Sequence, residues 1–344
     1  MTKEIQALRP ENVEELSRFL ARGFGVSAEK GPCSPDVLLW KYFDDRKSSF
    51  GPRSLVVREA EGIVGHVGLC PASFVIGQNQ EVSTLHMIDW LGSPDHRGVG
   101  SSLLRYAHQL TPTQYGLGGS DAAKRVVDAT RYDRLASVPV FQKVLRKGFR
   151  LRDSKTFSWK SLAQTARDFA STITAKGQNP TRRIQLRQVE TFGQEITPIV
   201  DAFASSAIFT TRHFDILNHF LRHPAGSIEG SLILDGNTVI GFALLNVLDR
   251  HHAQVGKIVE CFLADQNLDL WLASIVALTS RLRALGADVA LGCGSTAWTS
   301  QAYLASGYRE AFPLDFRLRD HKGLIPRDKP FHVTFLEADY AYLP

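Results

Sequence analysis

Arg97-Gly98-Val99-Gly100-Ser101-Ser102 is a run of residue types suited to holding an anion. Gly98 and Gly100 have no Cβ, so the backbone can bend there and bring its N–H groups close to a phosphate. Arg97 adds a fixed cation. Just upstream stand His86 and Asp89, two side chains able to take a proton from an attacking nucleophile. The glycines and Arg97 suit a phosphate-bearing ligand. A short glycine pattern also occurs in ordinary tight turns, so the flanking elements must decide between the two.

The flanks fit the chemical reading. Leu85 to Leu91 is an apolar run of strand length, and Leu103, Leu104, Tyr106, Ala107 and Leu110 fall at helical spacing. A glycine turn between a strand and a helix exposes the helix's first donors, which have no internal acceptor and carry the positive end of its dipole. On a regular strand, Asp89 and His86, three apart, point to opposite faces.

The chain also reads twice. Ser54 to Gly65 and Ser231 to Gly241 are both hairpin patterns, each an apolar strand, a polar turn and a strand opening on Val/Ile-Gly. Met87 to Leu91 matches Ile258 to Phe262, Gly119-Ser120 with Tyr132 matches Gly294-Ser295 with Tyr308, and Asp36 to Phe43 matches Asp215 to Arg222. The matches recur in order at a spacing of about 175 residues, which indicates two copies of one fold. Each copy reads as an α/β unit with a mixed sheet. The boundaries are a first copy at 1–152, a linker at 153–183 with helical character over Leu162 to Ile173, a second copy at 184–320, and a tail at 321–344 with a strand at Phe331 to Leu336.

Composition narrows the class. The 344 residues carry 40 Lys and Arg against 35 Asp and Glu, for a net charge of +5. This charge is spread along the chain, densest at Lys143 to Arg152, and is not interleaved with stacking aromatics as a nucleic-acid surface would be. No apolar run reaches membrane-spanning length and no leader pattern opens the sequence, so a cytoplasmic protein without nucleic-acid or membrane partners is expected. Cys33, Cys70, Cys261 and Cys293 form no Cys-x-x-Cys pair, and the eleven His, including adjacent His251 and His252, show no metal spacing. No metal is expected.

The Arg97 to Ser102 segment, with Pro94 before it and Leu103-Leu104 after it, resembles motif A of the GNAT acyl-CoA-dependent N-acetyltransferases, except that Ser102 stands where Gly or Ala is usual. Leu39 to Tyr42, Leu55 to Val57 and Val64 to Gly68 extend the resemblance toward tandem members with one degenerate copy. The resemblance implies that acetyl-CoA is the co-substrate. It assigns the pyrophosphate to Arg97, Gly98, Val99, Gly100, Ser101 and Ser102, and the pantetheine arm to Trp90, Leu91, Gly92 and Ser93. It further implies transfer to a small-molecule amine such as an amino sugar, amino acid or antibiotic-like acceptor. Asp89 is then the first candidate for general base, its pKa raised by burial, and His86 the second. A homodimer is compatible with it.

The copies differ at this point. After Glu260 the second reads Cys-Phe-Leu-Ala-Asp-Gln-Asn-Leu-Asp, with no glycine and with Asp265 and Asp269 where phosphates would lie. CoA binding is therefore expected in the first copy alone. The family's proton-donating Tyr falls at Val127, or at Val144 if Gly148-Phe149 sets the register, and is present only as Tyr303 of the second copy. Tyr106, Tyr132 or water would have to replace it. Two other classes stay open: a non-catalytic acyl-CoA-binding module, and an aminoacyl transferase of the tandem kind.

Overall fold

The computed structural model describes residues 4–44, 50–146, 177–224, 226, 228–250 and 253–342. The expected linker helix, Gly148-Phe149, His251-His252 and the basic stretch after Arg146 lie outside them. The chain divides into two compact units, one formed by 1–136, 223–225 and 315–328, the other by 137–222, 226–314 and 329–344.

The first unit contains β1 (Ile5–Ala7), α1 (Val13–Phe24), α2 (Pro35–Tyr42), β2 (Ser54–Glu59), β3 (Gly62–Gly77), β4 (Gln80–Gly92), α3 (Val99–Leu110), β5 (Thr113–Leu117), α4 (Asp121–Asp128) and the start of β6 (Asp133–Val144). The second holds the rest of β6, then β7 (Ile184–Val189), α5 (Thr197–Phe203), β8 (Phe209–Thr210), α6 (Phe214–Leu221), β9 (Ile228–Asp235), β10 (Thr238–Arg250), β11 (Ala253–Leu263), α7 (Leu268–Ala284), β12 (Val289–Cys293), α8 (Ala297–Ala305) and the start of β13 (Arg309–Asp320).

In the first unit β1 to β4 pair antiparallel in sequence order, α3 crosses over, and β5 joins β4 in parallel. The last strand is the later part of β13, antiparallel to β5 from Phe316↔Leu117 to Asp320↔Thr113. The second unit repeats the plan: β7, β9, β10 and β11 antiparallel, α7 crossing to a parallel β12, and the later part of β6 antiparallel to β12. Each unit thus takes its final strand from the other sequence copy. β13 supplies the last strand of the first unit and β6 that of the second.

Alternation places Val56 in a core with Leu16 and Leu20 of α1 and Leu38 and Tyr42 of α2, and Leu55 and Val57 in a second core with Val99, Leu103 and Ala107 of α3. The sheet of the first unit is covered on both faces, which is why β2 reads as a continuous apolar run. Val13, Leu16, Leu20 and Ala21 form the buried stripe of α1. A Cβ on Gly65 would fall 2.1 Å from Val99 Cγ1, so a glycine is needed there for α3 to seat on β3. The tail departs from the expected strand: Phe331 makes a single parallel bridge to Ile208, and Phe335–Glu337 closes into a 3₁₀ helix. The reciprocal Thr334–Glu337 capping box stabilises that turn in place of a strand.

Candidate functional site

Two irregularities of β4 create the site. The first is a bulge. His66 pairs with Leu91 and Gly68 with Ile88, so Asp89 and Trp90 together oppose Val67. Asp89 absorbs the extra residue at φ 48°, in the left-handed region that Asp tolerates better than most residues. The bulge resets the alternation that would otherwise have set Asp89 and His86 on opposite faces. The second is a separation of strands. β4 meets β5 only at Leu85↔Gln114 and His86↔Tyr115. Beyond His86 the parallel ladder ends, and the edge of β4 that faced β5 runs on without it through Trp90, Leu91 and Gly92.

The chain then turns into α3. Ser93 N–H donates to Val64 O at 2.8 Å, and His96 N–H to Ser93 O at 3.1 Å. Gly98 sits at φ 81° as the residue before the helix, with no side-chain cap. The first-turn N–H groups of Gly100 and Ser101 lie beyond the reach of any intrahelical acceptor, while Ser102 N–H already donates to Gly98 O at 2.9 Å. Arg97 and Ser101 are exposed and Val99 is buried. Trp90 Nε1 donates to Gly100 O at 3.0 Å, tying the strand end to the helix start. A Cβ on Gly92 would lie 3.0 Å from Gly100 N, so the lack of one lets the turn close over the strand. The residues expected to bind the co-substrate therefore run from the open strand edge to the uncapped helix start, with Val99 buried among them.

Asp89 and His86 differ from expectation. Lys41 Nζ stands 2.8 Å from Asp89 Oδ2, and Tyr42 Oη donates to the same oxygen at 2.6 Å. Burial pushes the Asp89 carboxyl up, but the Lys41 charge and the hydrogen bonds from Lys41 and Tyr42 outweigh it, so its pKa lies below the ordinary carboxylate value. The expected upward shift is corrected: a buried cation wins over desolvation. The His86 ring stacks on Tyr115 at 4.7 Å between centroids and 4° between planes. Burial first, with a smaller push from Lys41, lowers its pKa to about 4. It is neutral at pH 7.

Three residues not singled out from sequence as site residues complete this centre. Lys41 and Tyr42 close α2 over the bulge, and a Cβ on Gly68 would fall 2.2 Å from Tyr42 Oη. His66, fully buried, places Nδ1 2.8 Å from Asp89 O and Nε2 2.9 Å from Ser54 Oγ. Their signals were a charged residue inside the apolar run Val37 to Tyr42 and the Gly65-His66-Val67-Gly68 spacing. Of the tyrosines weighed as proton donors, Tyr106 is exposed on α3. Tyr132 is buried, donates to Gln114 Oε1 at 2.8 Å and has its pKa pushed up by burial. Val127 lies on α4 and Val144 ends β6. Tyr303 stacks on Phe141 in the second unit's core.

The second unit's counterpart is built differently. Asn267 caps α7, its side chain accepting from Asp269 and Leu270 N–H, and Asp269 accepts from Thr181. Two of the first-turn donors, the N–H groups of Asp269 and Leu270, are thus satisfied by the protein itself. Glu260, matching Asp89, is fully buried and paired with Arg212 Nη2 at 2.7 Å, while Arg212 Nη1 reaches Glu337 at 2.6 Å. Among the described residues no group of three or more His, Cys, Asp or Glu is arranged to hold a metal ion, and no helix is long and apolar enough to cross a membrane.

No protein-family model matches the sequence, and no curated protein matches it. Solved structures do match in three dimensions. A GCN5-related N-acetyltransferase from Anabaena variabilis superposes with TM-score 0.60 at 13% identity, covering 93% of this chain and 73% of that one. Saccharomyces cerevisiae N-myristoyltransferase with bound myristoyl-CoA gives TM-score 0.62 at 11% identity, over 96% and 84%. An Enterococcus faecalis protein described as a probable N-acyltransferase gives 0.56 at 11%, over 94% and 74%. The chain has the mixed α/β fold of GNAT-type acyltransferases, and at these identities the likeness establishes the fold.

Proposed function

We propose that the protein is an acyl-CoA-dependent N-acyltransferase whose acyl-CoA site lies on the first unit. One observation carries this: an open edge of β4 leads directly into an uncapped helix start at Gly98, while the corresponding helix start of the second unit is capped by Asn267. The pyrophosphate of CoA is assigned to the turn from Arg97 to Ser102, where the N–H groups of Gly100 and Ser101 have no intrahelical acceptor, and the pantetheine amides to the backbone of Trp90 to Ser93. The acyltransferase fold of the structural neighbours supports the same reading. The second unit serves as a degenerate copy.

In the reaction the amine nitrogen attacks the thioester carbon, the C–S bond breaks, the amine loses a proton and the CoA thiolate gains one. Asp89, held ionised by Lys41, is a weak proton acceptor, and neutral His86 is little stronger. Both are assigned to the shape and charge of the site, with Asp89 a fixed anion beneath the bulge. The amine reacts as its neutral free base, and the proton it loses on attack passes through water to the departing CoA thiolate. The acceptor is a small-molecule amine and the acyl group acetyl; a myristoyl-CoA-bound neighbour makes long-chain acyl-CoA the comparison. A homodimer belongs to the same proposal and is read by light scattering.

Thiol release from acetyl-CoA and myristoyl-CoA against a panel of amines tests the activity. Thermal shift with CoA tests the site, since ligand binding to the native state raises the melting temperature. Gly100→Glu adds negative charge where the phosphates are assigned. The atoms nearest its Cβ would be those of Trp90, at 3.5 Å and beyond, so the variant should fold. A wild-type shift that disappears in the variant supports the site. A shift retained in Gly100→Glu rules it out, and CoA binding without thiol release favours a binding module.

A further inference from the structure

Ser54, His66 and Asp89 lie in one line of hydrogen bonds, an order that invites comparison with a nucleophilic triad. The geometry excludes that role. Ser54 is 2% exposed and His66 fully buried, so no substrate reaches the hydroxyl, and the third partner is the Asp89 carbonyl, not its carboxylate. A carbonyl only accepts, so His66 Nδ1 carries the proton, and Nε2 is the acceptor for the Ser54 hydroxyl. Ser54 thus locks the tautomer that lets His66 donate to Asp89.

That donation falls on Asp89, the first of the two β4 residues that share Val67 at the bulge. A bulge strands the backbone of its extra residue, and a buried carbonyl without a donor is unfavourable. Asp89 is also held at φ 48°, a conformation that persists only when the surroundings over-determine it. Lys41 and Tyr42 grip the carboxylate from one side, and His66 grips the carbonyl. The next residue, Trp90, reaches Gly100 O. The bulge therefore sets where the open strand edge and the first turn of α3 stand relative to each other.

We infer that His66, locked by Ser54, is a positioning residue for acyl-CoA binding: it holds the Asp89 bulge so that the strand edge and the helix start present their donors together. This rests on the acyl-CoA reading above. His66 touches no substrate. It acts through Asp89 and Trp90, and its imidazole stays neutral because burial lowers its pKa to about 4.

Paired conservative variants test this. The amide nitrogen of Asn stands two bonds from Cβ, as Nδ1 does, whereas that of Gln stands one bond further out, as Nε2 does. His66→Asn should keep the donation to Asp89 and bind CoA within about threefold of wild type. His66→Gln and His66→Phe should weaken CoA by about tenfold or more, the scale on which small misplacements act. Ser54→Ala should lie between them. If His66→Phe prevents folding, the Asn–Gln pair still decides. Hydrogen exchange at Trp90 to Gly92 in the unliganded protein gives a second readout, faster in His66→Gln and near wild type in His66→Asn. Equal CoA affinity and equal exchange in folded His66→Asn and His66→Gln would overturn the inference. A wild-type protein that ignores CoA overturns the acyl-CoA reading and the binding role with it, and the exchange data then report the bulge alone.

Discussion

Lys41 Nζ and Asp89 Oδ2 lie 2.8 Å apart, with 1% and 7% of their side-chain surfaces exposed. The pair joins the end of α2 to the bulge of β4, at the point where the strand leaves its parallel neighbour. Its consequences for stability and for catalysis can be separated.

Lys41→Met removes the cation and leaves a buried carboxylate held by Tyr42. Breaking one side of a buried pair costs about 3 kcal/mol or more, because the remaining charge is uncompensated. Urea denaturation at pH 7 should show this loss, and Lys41→Met with Asp89→Asn should recover most of it. Because the Asp89 pKa is lowered in the fold, the pair's contribution is full above the ordinary carboxylate value of about 4 and fades only below it. A single variant as stable as wild type would contradict the pairing.

Asp89→Asn should lower stability yet keep turnover per folded molecule within about threefold, since a carboxylate held ionised by Lys41 is too weak a base to carry the proton transfer. Kinetics and thermal melting on the same sample check this. A tenfold or larger fall in turnover, partly rescued by raising pH, would assign Asp89 as general base instead.

Acid should weaken the first unit above the range where carboxylates titrate. His66 and His86 are held at about 4 in the fold, below the ordinary imidazole value. The unfolded chain therefore binds protons first, so their contribution is full above about pH 6.5 and falls as pH drops toward 4. By pH 4 each would forfeit on the order of 3 kcal/mol. His86→Phe preserves an aromatic ring against Tyr115 and should flatten the decline in stability between pH 6.5 and 4. An unchanged slope would count against a buried neutral His86.

Residues 1–152 expressed alone should not fold. The first unit needs Phe316 to Asp320 beside β5, and Arg317 Nε reaches Asp128 at 2.9 Å from that strand. Without it the β5 edge and the apolar surface around Tyr115 and Phe74 are uncovered. Circular dichroism and dye binding would report this. A soluble fragment with a cooperative transition and wild-type CoA affinity would refute it.

Local patterns were legible without coordinates. The Leu85 to Leu91 run, the glycines before Leu103 and the repeated hairpins each encode a strand, a turn or a helix within a dozen residues, because periodicity and backbone freedom are local properties. Motif and repeat together pointed to the fold and to the helix start at Gly98. Three features were not legible. The bulge at Asp89 depends on a register set by β3. The charge state of Asp89 depends on Lys41, 48 residues away along the chain and in contact only after α2 packs on the sheet. The last strand of each unit depends on a pairing distant in sequence, β13 on β5 in the first and β6 on β12 in the second. Sequence spacing determined the elements and their order; long-range pairing and burial, where solvation and opposing charge compete, decided the electrostatics of the site and the limits of each unit.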